Sequence, residues 1–452
     1  MYSILIATSV LLFLPTWWYI LRRDDLTGIG YAVLFIYTIF TQVGYIYYPG
    51  LSAGRYVYYG EEMFLPYWAF MTGSFAACFL GFVVVRRARW GLGLVRLEPV
   101  RSPHLFLFYA LVLVFTGALV GGYFVLRPEL RYGALEEDLT RETIIFLYGF
   151  RLYAAIVLAL WARKRDPALA RPRRGALVLF ILSLTAYAAI ALAVGSRSDL
   201  LYLAFGIAVF ELQPLALALR KYARKLIFIS LCALPFLYGL LALESARQRY
   251  NPITMGILAE TMVSSERMFG TEGGMAEQMI GQDYYWPSTL LMTAMYYDVV
   301  DPLEVVKSNG ANALAGLQYP YLTQTLAAKA VGRMGFGRVG GFAFHLFIEG
   351  WMVAGWFGIV YNAVAFNAGL ALCRSLTRTS VLSVNRLLTA QMAIVLPSMM
   401  RMQSSVFVKV GWTHIPFIVL VVILVSGWKF RGTALGGSGV RTCRPLVERP
   451  QA

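Results

Sequence analysis

The sequence predicts an all-α polytopic integral membrane protein of about 11 transmembrane helices with one large periplasmic loop or cap. Three observations carry this. Hydrophobic residues make up 59% of the 452 residues and charged ones only 14%, against about 25% charged in an ordinary globular chain. The apolar residues come in runs of about 20, long enough for a helix to cross a bilayer and too long for barrel strands. The charges between the runs are sorted: with alternate connections assigned to alternate sides, one side collects most of the 40 Lys and Arg and few of the 24 Asp and Glu. Such sorting places the basic side in the cytoplasm.

The runs fall at 2–20, 27–47, 63–85, 104–125, 143–162, 176–194, 200–218, 226–243, 342–372, 387–406 and 412–428. Residues 1–243 thus form transmembrane helices 1–8, 244–341 the large periplasmic loop, 342–428 helices 9–11, and 429–452 a cytoplasmic tail. The first run has no basic segment ahead of it and no small-residue cleavage site. Arg22 and Arg23 follow it, so it reads as a retained span with a periplasmic N-terminus. Cytoplasmic connections are 21–26, 86–103, 163–175, 219–225, 373–386 and the tail. Outer connections are 48–62, 126–142, 195–199, 244–341 and 407–411. The tail, with Gly436-Gly437-Ser438-Gly439, has a composition expected to be disordered. The loop 244–341 is rich in aromatic and apolar residues, and 312–330 reads as helix with an apolar face, so it should fold as a cap.

The net charge of +16 could suggest nucleic acid. The excess, however, lies in short loops such as Arg163-Lys164-Arg165 and Arg220-Lys221, where topology and anionic headgroups account for it. No nucleic-acid partner is expected; the partner is the lipid bilayer. The four cysteines lie in spans, at a span end or in the tail, and no metal-ligand spacing accompanies them. The acidic clusters Asp298/Asp301 and Glu136-Glu137-Asp138 are unspecific. No metal or other cofactor is expected.

The chemistry-bearing residues gather on the outer side. The turn Gly195-Ser196-Arg197-Ser198-Asp199 sets a guanidinium at the outer mouth of the bundle, either for a ligand or as an interfacial Arg paired with Asp199. Arg247 and Arg249 enter the cap directly after the eighth span. Arg401 lies near the outer end of the tenth. His345 and Glu349 are four apart, on one helical face at the start of the ninth span. A carboxylate inside the membrane is a functional candidate by default. Arg151, inside the fifth span, requires a polar cavity or a carboxylate, and Glu349 is the natural candidate partner. Arginine forks bind phosphate bidentately. A ring of Arg with one acid/base pair suits a lipid-linked diphosphate and a hydroxyl nucleophile activated by Glu349 or His345.

At these residues the chain resembles the bacterial O-antigen polymerases (Wzy type) and related exopolysaccharide repeat-unit polymerases. The resemblance rests on the Gly-Ser-Arg-Ser-Asp-Leu-Leu turn at 195–201, the single late periplasmic loop, and the stretch 340–358. In that stretch Glu349, Trp351, Phe357 and Gly358 are similar to the family's Glu-x-(Tyr/Trp) followed by Phe-Gly, where a loop re-enters the membrane. The resemblance implies a GT-C-like, metal-independent membrane glycosyltransferase in the bacterial inner membrane. It would polymerise oligosaccharide repeat units of O-antigen or exopolysaccharide, carried on undecaprenyl diphosphate, at the periplasmic face. Glu349 or His345 would be catalytic, Arg197, Arg247, Arg249, Arg151 and Arg401 would bind the diphosphate, and a chain-length regulator would be a partner. An O-antigen ligase-type transferase uses the same donor and a similar site. A polysaccharide or lipid transporter is the reading from another class. The absence of an internal repeat and the outer-side clustering of charge weigh against it.

Overall fold

The computed structural model describes residues 2–47, 64–87, 96–99, 105–126, 141–165, 174–194, 197–222, 345–377, 382–401, 404–426 and 428–431, with isolated positions between 224 and 303. Eleven helices are described: α1 (Tyr2–Leu21), α2 (Asp25–Tyr47), α3 (Phe64–Arg87), α4 (Leu105–Leu126), α5 (Arg141–Arg165), α6 (Arg174–Val194), α7 (Arg197–Leu212), α8 (Leu215–Tyr222), α9 (Leu346–Thr377), α10 (Leu382–Arg401) and α11 (Ser404–Ser426). Five of them are long and apolar enough to cross a membrane. Their outer surface is apolar as well: Leu11, Phe106, Val125 and Phe357 are each more than 70% exposed. A water-soluble monomer rarely carries such a surface, whereas hydrocarbon solvates it. The protein is a helical membrane protein.

The all-α expectation needs one amendment. Arg96–Pro99 (β1) and Trp428–Arg431 (β2) form an antiparallel pair in which Arg96 faces Arg431 and Glu98 faces Lys429. The start of the tail is therefore paired with the connection after α3. The rest of the tail, the eighth span at 226–243 and the loop 244–341 lie outside the described residues, save for the isolated positions.

Several connections that the charge pattern assigns to the basic side meet at one end of the bundle. Arg374 of α9 pairs with Asp24 at 2.5 Å. Gln213 donates to the Arg386 carbonyl, and the Leu215 amide donates to Asp25 Oδ1. Arg165 grips Glu211 through both oxygens, at 2.8 and 3.1 Å, so Glu211 is matched within the chain.

The seventh span, expected at 200–218, is broken. Helix α7 stops at Leu212, and α8 leaves at 85°. Pro214 has no amide hydrogen and disfavours helical geometry in Gln213. Spans ten and eleven begin earlier than hydropathy suggested, so residues 407–411, read as an outer connection, belong to α11. Helices continue past the apolar window: α10 opens on Ser383, Asn385 and Arg386.

The largest revision concerns the ninth span. The apolar run 342–372 reads as one helix, but the chain departs from helical geometry at Ala354 and Gly355, the latter at φ +57°. A continuous helix rises 1.5 Å per residue and would separate residues 346 and 362 by roughly 24 Å. Instead Asn362 Nδ2 donates to the Leu346 carbonyl at 2.9 Å. Gly350 likewise lies against Gly358 and Ile359, where an added Cβ would come within 2.8 Å of the Gly358 carbonyl. The segment is a helical hairpin. A short limb, 346–353, runs away from the Arg374–Asp24 end of the bundle, turns at Gly355, and lies antiparallel to a long limb, 356–377. Glycine permits both features: positive φ at 355 and backbone contact at 350 and 358.

Candidate functional site

The hairpin packs against α2, α3 and α10. Its long limb is anchored by a buried cluster: Tyr31 Oη donates to Asn367 Oδ1 at 2.8 Å, and Asn367 Nδ2 donates to the Cys78 and Ala363 carbonyls. Above this anchor the short limb presents two buried polar side chains. His345 is 0% exposed and Glu349 1%.

His345 is fully engaged. Its Nδ1 accepts from the Phe347 amide at 3.3 Å, which leaves the proton on Nε2. Nε2 then donates to Thr38 Oγ1 at 3.1 Å, and that hydroxyl donates to the Leu34 carbonyl. Tyr37 stacks on the ring at 5.3 Å. Assigned this way from the network, His345 is a neutral imidazole whose two nitrogens pin the foot of the short limb to α2. The expectation that it competes with Glu349 as base is weakened for that reason.

Glu349 lies one helical turn nearer the Gly355 turn. The Tyr31–Asn367 and Thr38–His345 contacts set the register. Because α2 and the short limb run in the same direction, Gln42, one turn after Thr38, stands at the level of Glu349. Gln42 is itself fully buried, and neither atom of its amide has a hydrogen-bond partner. Trp351 lies edge-on to Phe70 and Trp356.

A second polar cluster forms between α5, α6, α7 and α11. Arg151, 43% exposed, faces Asp199 at 4.0 Å. Tyr187 Oη donates to the Asp199 carbonyl, and Phe150 stacks on Tyr187 at 4.5 Å. His414 of α11, 8% exposed, lies within the field of Arg151. The carboxylate beside Arg151 is therefore Asp199, not Glu349 as expected. Glu349 belongs to the hairpin on α2 and α3, whereas Arg151 faces α7. Asp199 sits in the first turn of α7, where the helix N-terminus favours a carboxylate.

Compared with protein-family models, with curated proteins and with solved structures, the chain matches none. The site rests on its own residues.

Of the arginines picked out from the sequence, Arg197 begins α7, two residues from Asp199. Arg401 ends α10; the side chains of both lie outside the described residues, as do Arg247 and Arg249 entirely. Helix α10 packs against α2, α5, α7, α9 and α11 and so borders both clusters. Sequence reasoning overlooked His414, Gln42 and Asn362. Their signal was available: each is a polar residue inside an apolar helix, where polar groups are costly and cluster at functional or anchoring points.

Proposed function

We propose that the chain is a membrane glycosyltransferase that polymerises undecaprenyl-diphosphate-linked oligosaccharide repeat units at the periplasmic face of the bacterial inner membrane, as the O-antigen and exopolysaccharide polymerases do. The observation that carries the reading is the hairpin. It holds Glu349 buried in the limb that precedes the Gly355 turn, within the stretch that resembles the family's re-entrant motif. Within that motif Gly358 has a physical task, which is contact with Gly350.

On this reading Glu349 is the base. It takes the proton of the acceptor sugar hydroxyl while that oxygen bonds to the donor's anomeric carbon. The bond from that carbon to the diphosphate oxygen breaks, and the lipid diphosphate leaves. Arg197, Arg151, Arg247, Arg249 and Arg401 neutralise the departing charge, an electrostatic contribution realised at the transition state. His345 positions the limb that carries Glu349.

The test is incubation of purified protein with a defined undecaprenyl-diphosphate oligosaccharide, followed by sizing of the products. A ladder of multiples of the repeat unit supports the proposal. Unchanged substrate in the presence of folded protein refutes it. Transfer to lipid A core without lengthening assigns the ligase reaction instead.

A further inference from the structure

At the end of the bundle opposite the hairpin tip, a groove runs between two helix pairs. Trp17 and Leu21 of α1 and Gly28, Ile29 and Ala32 of α2 form one wall. Phe205, Ala208, Val209 and Leu212 of α7 and Leu215, Ala218 and Leu219 of α8 form the other. Every lining residue is apolar, and the enclosed space is about 170 Å³. Trp17 is fixed by donation from Nε1 to the Gly28 carbonyl at 3.0 Å, so this wall is preformed. Ala208, on the other wall, is exposed, so the groove opens outward.

The rim is cationic. Trp18, adjacent to the groove wall, carries the Arg22 guanidinium 5.0 Å from its ring centroid and that of Arg220 at 5.9 Å. Two cations from different helices converge on one indole. Lys221 follows on α8, above the ring of Tyr222. The two carboxylates that follow Arg22 and Arg23 in the chain are already engaged: Asp24 with Arg374, and Asp25 with the Leu215 amide. Among the described residues neither Arg22 nor Arg220 has an acidic partner. The 85° bend lays α8 across the end of α7. Leu215 and Leu219 of α8 line the groove, while Arg220 and Lys221 are exposed, the two-faced pattern of helices that lie in a membrane interface.

We propose that this groove is a binding site for an anionic phospholipid of the surrounding leaflet, with an acyl chain between α1–α2 and α7–α8 and the phosphate on Arg22 and Arg220. The pairing of an apolar slot with a two-arginine rim selects the ligand. The slot alone accepts any acyl chain, and the rim discriminates by headgroup charge. The site is independent of the chemistry proposed for the other end.

The test uses detergent-purified full chain titrated with phosphatidylglycerol or phosphatidylcholine, read by the thermal unfolding midpoint and by lipid retained in native mass spectrometry. Half-saturation by phosphatidylglycerol is expected on the order of tenfold below that by phosphatidylcholine. The R22A/R220A variant should lose that preference. R86A/R87A, which removes equal charge from exposed positions on α3, should keep it. Ala208→Trp, at an exposed lining position, should lower retention of both lipids with the lipid-free midpoint unchanged. Equal response of the unaltered protein to both lipids overturns the proposal, as does equal loss in the two double variants. A lipid-free midpoint lowered by Ala208→Trp also overturns it, because the chain itself would then fill the groove. So does a dimer that Ala208→Trp dissolves, because a second copy would then be the occupant.

Discussion

Gly350 and Gly358 face each other backbone to backbone across the hairpin of α9, eight residues apart in sequence and in contact in space. Neither position has room for a methyl group. A Cβ on Gly350 would sit 2.8 Å from the Gly358 carbonyl oxygen, and a Cβ on Gly358 would run into the Gly350 carbonyl. The pocket around Glu349 depends on this closeness, because it sets the short limb against the long one.

Substitution of either glycine by alanine should therefore open the hairpin. The obstruction is backbone, which cannot move aside as a flexible side chain can. The cost should reach or exceed the ~1–3 kcal/mol usual for overpacking. The expected result is a lower unfolding midpoint in detergent and no polymer. Gly73→Ala and Gly117→Ala, where an added Cβ meets nothing within 4 Å, should leave both readouts unchanged. Equal effects at all four positions would show that the contact is immaterial.

His345 is held through both ring nitrogens, and this sets what its substitution should do apart from that of Glu349. Glu349→Gln keeps shape and removes the base, so polymer formation should fall by about 10²-fold or more with stability retained. His345→Ala should instead lower stability, because it removes the donor to Thr38 Oγ1 and the acceptor of the Phe347 amide. His345→Gln, able to reach one of these partners, should recover part of that stability and of the activity. A fully active Glu349→Gln variant would transfer the base elsewhere.

The anchor of the long limb makes a prediction about stability alone. Asn367→Leu removes one of the two acceptors within reach of Tyr31 Oη, the other being the Cys78 carbonyl at 2.9 Å, and takes away the Asn367 Nδ2 donor to that carbonyl, all buried. A net lost hydrogen bond costs ~0.5–1.5 kcal/mol. The midpoint should drop, and the loss in the double variant with Tyr31→Phe should be smaller than the sum of the two single losses. Additive losses in the double variant would mean that the two side chains act independently.

For the arginines, Arg197→Ala and Arg247→Ala should each shorten the polymer without impairing membrane insertion. Arg151→Ala should do the same, and Arg151→Lys should rescue poorly because a point charge does not replace a bidentate fork. Asp199→Asn, which removes the carboxylate beside Arg151, should alter product length less than Arg151→Ala does. Normal ladders from Arg197→Ala and Arg247→Ala would remove the diphosphate assignment.

Much of the architecture was legible in the chain itself. Hydrophobic run length placed nearly every described helix, because a helix in hydrocarbon must satisfy its own backbone and needs no partner to be recognised. Charge sorting grouped the connections 21–26 and 373–386, which meet at one end, as the Arg374–Asp24 contact shows. Intramembrane charge singled out Glu349 and Arg151. What one-dimensional hydropathy does not carry is direction. Residues 350–360 around the turn are apolar throughout, so Gly355 leaves no polar break, and a hairpin reads as a span. Nor does it carry pairing between helices. Arg151 meets Asp199, and His345 is saturated by Thr38 and a backbone amide, because packing brings distant segments to one level. Composition and periodicity determined which segments enter the membrane; only tertiary contacts, above all glycine against glycine at 350 and 358, decided how the segment bearing Glu349 is folded there.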